Sequence, residues 1–221
     1  MLVAWAVVAP IAATGCARPP AGGRASLDTL LFFAAVHGTS FDGTVYHLSA
    51  EHRGTALLAA EAMRLAESPH GVALRRLESL DESAAAALAA CPSSLHFECL
   101  RQLTAPVAAR LASHRGRLQL DALEAIDAPT AAALAANDGT LALNGLVALD
   151  MGSAAALARH RGLLALNGVR SLDVPAVRCL AAHDGPVCLH GLGDVGAETA
   201  ALLAAHPERF FTGAMPTVRD R

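Results

Sequence analysis

The chain has 221 residues, of which 53% are hydrophobic, 17% charged and 4% aromatic, and its net charge is −3. This length and composition suit one domain or one elongated array and exclude a disordered tail. The small acidic balance excludes the clustered basic footprint of a nucleic-acid binder, and scarce aromatics require a core of Leu, Val and Ala in closely set layers.

The first element is an apolar run from Leu2 to Ala13. It is too short to cross a bilayer as a helix, which needs about 20 apolar residues, and it has the size of the apolar region of a signal peptide. The residues that follow, Ala13-Thr14-Gly15-Cys16, resemble the lipobox of bacterial lipoproteins. That resemblance implies a signal peptide over residues 1–15, lipidation of Cys16, a Pro/Gly-rich linker over 16–25 and anchoring in the cell envelope. An ordinary secretory signal, giving a periplasmic or secreted protein, is the alternative.

Residues 26–71 read as an irregular capping unit. "SLDTLLFFAAVHG" at 26–38 has the look of a helix, and "TSF" is a possible strand. Leu57 and Leu65 precede Leu80 and Leu88 by the same interval that separates "LALNGL" at 141–146 from "LALNGV" at 164–169. That interval then governs the chain. Six units of this length align without a gap from about Val72 to Pro207, each with apolar residues at five fixed positions. In the fourth unit these are Leu141, Leu143, Leu146, Leu149 and Leu157, and all thirty such positions hold Leu, Ile, Val or Phe.

Within a unit, the Leu-x-Leu pair has the period of a strand. Asn144-Gly145 and Asn167-Gly168 then suggest a turn, since both residue types tolerate positive φ. Asp81, Asp127, Asp150 and Asp173, with Thr104 and Gly196 as substitutes, stand where a helix N-cap belongs. Ala-rich segments carry the helix, and Gly116, Gly139, Gly162 and Gly185 read as its C-terminal stop. A helix of about two turns is unstable alone, so neighbouring units must stack over one continuous core.

Short strand, turn and helix in a unit of this length, with Leu at the strand positions, resemble the leucine-rich-repeat family over residues 72–212. The resemblance implies an α/β fold: a right-handed solenoid of six 23-residue strand-turn-helix units, with a parallel sheet on a concave face and short helices on the other. It also implies a binding or scaffolding role without catalysis. The family's Asn position falls on Leu77, Leu100, Leu123, Leu146, Val169 and Leu192, so no Asn ladder is expected. Phe210-Phe211-Thr212 reads as the start of a seventh strand, and residues 213–221 as a C-terminal tail.

Four features suggest chemistry. Cys91, Cys99, Cys179 and Cys188 lack zinc-site spacing and read as small apolar fillers, with two disulfides (Cys91/Cys99 and Cys179/Cys188) as the alternative. Cys91, His114, Asn137, His160, His183 and His206 recur once per unit at one fixed position. Histidine is a common metal ligand, but at the end of every helix it reads better as a cap for the last carbonyls, so no metal is expected. Gly191, Gly193 and Gly196 spell a dinucleotide-binding G-x-G-x-x-G, yet Gly191 and Gly196 are explained by the repeat, and no cofactor is expected.

The fourth is the set of strand positions between the Leu pairs: Ala73, His96, Gln119, Ala142, Ala165 and Cys188. These should face outward, beside flanking residues such as Asn144, Asn167 and His190. Polar and charged members gather in the first three units, so Arg75, His96, Glu98, Arg117, Gln119 and Asp121 are the candidate ligand-binding residues. The partner expected is another protein or an envelope component, with no nucleic acid and membrane contact only through Cys16. A nucleotide-binding protein or enzyme using the Gly191–Gly196 loop, and a structural spacer without a ligand, are the alternatives.

Overall fold

A computed structural model describes residues 50–52, 55–67 and 71–212. The signal peptide, Cys16, the linker, the 26–38 helix, the "TSF" strand and the 213–221 tail lie outside the described residues.

Strand and helix alternate strictly. The order is β1 (Ala50–His52), α1 (Ala59–Ala66), β2 (Val72–Leu74), α2 (Glu82–Ala89), β3 (Leu95–Phe97), α3 (Ala105–Leu111), β4 (Leu118–Gln119) and α4 (Ala128–Leu134). Then follow β5 (Leu141–Ala142), α5 (Met151–Leu157), β6 (Leu164–Ala165), α6 (Val174–Leu180), β7 (Val187–Cys188), α7 (Ala197–Ala204) and β8 (Phe210–Phe211). The strands form one eight-stranded sheet in chain order. Every neighbouring pair is parallel, from β1 with β2 to β7 with β8. This is an open α/β array compatible with a repeat solenoid.

The repeat interval is the sheet register: Leu95 pairs Leu118, which pairs Leu141, then Leu164, Val187 and Phe210. The expected seventh strand after unit six is therefore present. The irregular cap holds a further strand that the pattern did not reveal. β1 joins β2 with Ala50 opposite Val72, a shorter step along the chain than the one that pairs the later strands.

Each helix starts for a local reason. The carboxylates of Asp81, Asp127, Asp150 and Asp173 accept from the N–H of the residue three further on, at 2.7–2.9 Å. Pro in the first turn of α3, α4 and α6 fits where no intrahelical N–H bond is needed. Thr104 occupies the same place in α3 without a side-chain cap bond, and Gly196 has no side chain to offer.

The thirty apolar positions form the core between sheet and helices. All are buried except Leu80, Leu103, Ile126 and Leu192, which pack against the core half-buried. Leu57 of the first unit is buried with them, and Leu65 packs against their edge. Full burial of a Leu or Val is worth about 2 kcal/mol, and no seven- or eight-residue helix could retain that without its neighbours.

Glycine does not stop the helices as expected. The C-caps are Ala112, Ala135, Ala158 and Ala181, all right-handed. Gly139 and Gly162 stand four residues later, where a Cβ would overlap the carbonyl oxygen of the equivalent glycine one unit earlier. Gly145, Gly168 and Gly191 are packed the same way against the carbonyls of Asp121, Asn144 and Asn167. Close approach between units, rather than positive φ, selects glycine in both places.

Candidate functional site

The sheet face turned away from the core is built from the alternate strand positions and the residues flanking them. Its two halves differ. In units four to six Ala142, Ala165 and Cys188 form a second, small apolar cluster, with half-buried Leu163 and Phe211 packed against it. Ala73 is also fully buried. The expectation that these four positions point freely into solvent is thus corrected: they lie on the outward side of the strands, but small side chains between parallel strands are closed off by their neighbours. Burial pushes the Cys188 thiol up to about 12. The four cysteines among the described residues are all free thiols.

The polar half comprises the sequence-derived candidates. Arg75 is exposed and its Nε stands 3.6 Å from Glu98 Oε1. His96 lies between two carboxylates: Nδ1 is 3.8 Å from Glu98 Oε1 and Nε2 is 3.6 Å from Asp121 Oδ2. Desolvation nevertheless lowers the His96 pKa, against the pull of Asp121 and Glu98 and with help from Arg117 and Arg75. Near neutral pH the imidazole is therefore uncharged, and its carboxylate contacts are polar rather than ionic. Gln119 Nε2 donates to Asp121 Oδ2 over 3.4 Å. Five of the six candidates thus meet around His96. Arg117 is the exception in exposure, being 8% accessible; it acts on the cluster through its charge.

From Asp121 a ladder runs across the array. Asp121 Oδ1 accepts from the Asn144 backbone N–H at 3.2 Å and from Asn144 Nδ2 at 2.9 Å. Asn144 Oδ1 accepts from the Asn167 backbone N–H, and Asn167 Oδ1 from that of His190, each at 3.2 Å. His190 Nδ1 stands 3.0 Å from the same Asn167 oxygen. The positions where the family signature would place its buried Asn ladder hold core residues such as Leu146 and Val169. This half-buried ladder is a different one, two residues earlier, which the sequence expectations did not include. The signal was present in "NG" itself, whose Asn recurs at the unit interval.

The histidine column is buried inside the helix ends. His114, Asn137, His160 and His183 are each 1% accessible or less. Asn137 does cap, but across units: its Nδ2 donates to the carbonyls of Ala112 and His114 in the preceding unit, and its Oδ1 accepts from Gly139 N–H at 2.9 Å. The His160 and His183 rings are 5.9 Å apart and tilted by 32°. Among the described residues no group of three His, Cys, Asp or Glu is placed to hold a metal.

The glycine-rich loop is partly filled by the protein. The space against Gly191, where a pyrophosphate would need to approach, holds the Asn167 carbonyl, while Gly196 at the α7 N-terminus is open. No helix among the described residues is long and apolar enough to cross a membrane. Compared with known protein families, curated proteins and solved structures, the chain matches none.

Proposed function

We propose that the chain is a leucine-rich-repeat-like, right-handed solenoid that binds or scaffolds another protein or component of the cell envelope through its sheet face, without catalysis, and that it is held to the membrane by lipid at Cys16. The observation that carries the binding reading is the uneven sheet face: one end is a polar cluster around His96, the other a closed apolar strip. A spacer has no use for such a division. Half-exposed carboxylates beside an exposed guanidinium give a partner both signs of charge to meet at fixed positions. Both His96 nitrogens face carboxylates, an arrangement that orients an imidazole rather than activating a nucleophile.

The test is capture from envelope extract by the full chain and by charge-reversed variants. Arg75→Glu and Glu98→Arg are the variants of choice, because both residues are exposed and tolerate substitution. A partner retained by the wild type and lost from both variants supports the reading. Equal retention by all three, or none by any, overturns it. Acyl labelling lost in Cys16→Ala tests the anchor separately.

A further inference from the structure

The buried histidines serve neither the sheet face nor the metal chemistry that their recurrence suggests. They share one column with Asn137, and Asn137 shows the bonding that the column requires. One side-chain donor faces the carbonyls of the preceding unit, and one acceptor faces the glycine N–H two residues on. A neutral imidazole also has one donor and one acceptor, whereas an imidazolium has two donors and none.

His183 follows the acceptor half of that pattern, while its buried Nε2 has no hydrogen bond. Gly185 N–H donates to its Nδ1 at 2.9 Å, with the Gly185 carbonyl 2.8 Å from the same nitrogen. Neither ring nitrogen of His114 or His160 has a hydrogen bond of ordinary geometry, and none of these nitrogens reaches solvent. The backbone carbonyls around the rings favour a positive charge, but burial away from water outweighs them. His114 faces the carbonyls of Ala89, Cys91, Ser93 and Arg117. His160 faces the carbonyls of Ala135, Asn137 and Leu163, together with His183. His183 faces Arg209 as well as the single compensating carboxylate of Asp184.

We propose that this column is an acid-sensitive latch: protonation of His114, His160 and His183 at the seam between units loosens their stacking and opens the array. Burial accordingly depresses all three below the ordinary imidazole value of 6.5. The folded array then binds fewer protons than the unfolded chain. Its stability is complete above 6.5 and is lost progressively as pH falls below that value. The unfolding constant rises by up to about tenfold per pH unit for each such histidine.

Asn137 supplies the control, since asparagine fits the column and does not titrate. Urea unfolding of the full chain, followed by circular dichroism between about pH 7 and about pH 5, is compared with that of the triple variant His114→Asn, His160→Asn, His183→Asn. The wild type should lose stability over this range more steeply than the variant, since the variant keeps only His96 among the described histidines held below 6.5. Parallel loss in both would overturn the proposal. Should the triple variant fail to fold, His160→Asn alone and the ring-proton NMR titration of the wild type carry the test. The single variant should show a shallower acid limb, and the three rings should titrate below 6.5 in the folded protein. An unchanged limb, or rings that titrate at 6.5 or above without unfolding, would refute the latch.

Discussion

Asn144 Oδ1 accepts the backbone N–H of Asn167, the residue that occupies its own place one unit later, at 3.2 Å. Asn144 in turn donates its amide to Asp121 Oδ1 at 2.9 Å. One side chain thus joins three successive units, in a half-buried strip where a lost hydrogen bond is felt.

Asn144→Ala should destabilise the protein by about 1–2 kcal/mol, the cost of leaving the Asn167 N–H without its partner. Asn144→Asp keeps an acceptor but sets a carboxylate against Asp121, and should cost at least as much. Denaturant melts of the two variants check this; an Asp variant as stable as wild type would refute the donor role of the amide.

Gly168 and Gly196 should respond in opposite directions. A methyl group at Gly168 overlaps the Asn144 carbonyl, so Gly168→Ala should cost about 3 kcal/mol. Gly196 has open space and an extended backbone at the N-cap of α7. Gly196→Asp should add the cap that Asp173 supplies to α6, stabilising by a few tenths of a kcal/mol. Thermal midpoints measured side by side decide both.

Arg75 and Arg117 separate a surface role from a structural one. Arg75→Ala removes an exposed, loosely paired guanidinium and should change stability by less than about 0.5 kcal/mol. Arg117→Ala empties a buried position and should cost roughly 2 kcal/mol through lost packing and charge compensation. Unfolding free energies of the two variants, beside their partner capture, give the comparison.

Thiol labelling of the native protein should be selective. Cys99 and Cys179 are half-buried, while Cys91 and Cys188 are buried with thiols held neutral. Maleimide or iodoacetamide at about pH 8 should modify the first two well before the others, since the thiolate is the reacting form. Mass spectrometry of digests reads this directly. Early labelling of Cys188 would mean that the apolar strip is open.

Acid should reveal a second limb below that of the histidines. The capping carboxylates of Asp81, Asp127 and Asp150 are held below the usual 3.8, chiefly by hydrogen bonds from the first helical turn. Their contribution is present above 3.8 and is lost as pH falls through the lower folded values. Asp127→Asn with Asp150→Asn should therefore flatten stability against pH below about 4 while leaving the region near pH 6 unchanged.

The repeat register, the N-caps and the core were legible in the chain because each depends on residue type at a fixed interval. The sheet edge at β1 was not, since its shorter step to β2 breaks that interval. The turn at Asn144 and Gly145 was legible and is present, with Leu146 N–H donating to the Leu143 carbonyl. The approach between units that also fixes these residues was not, because a pattern read along one unit does not display it. The candidates Arg75, His96, Glu98, Gln119 and Asp121 were found as departures from the apolar pattern, and the fold gathers them. Arg117 looked the same in sequence, yet packing against its neighbours removes it from the surface.

The glycine contacts bear on how such a chain can change its length. Each joint between units includes a main-chain carbonyl on one side and a glycine on the other, a contact indifferent to most side chains nearby. Removing the segment from Asn144 to Leu166, one whole unit, would splice Leu143 onto Asn167 and recreate the phrase Leu-Ala-Leu-Asn-Gly at the seam. Whole units can therefore be gained or lost by recombination with both halves of the joint intact, and the polar end of the sheet face is carried through unaltered.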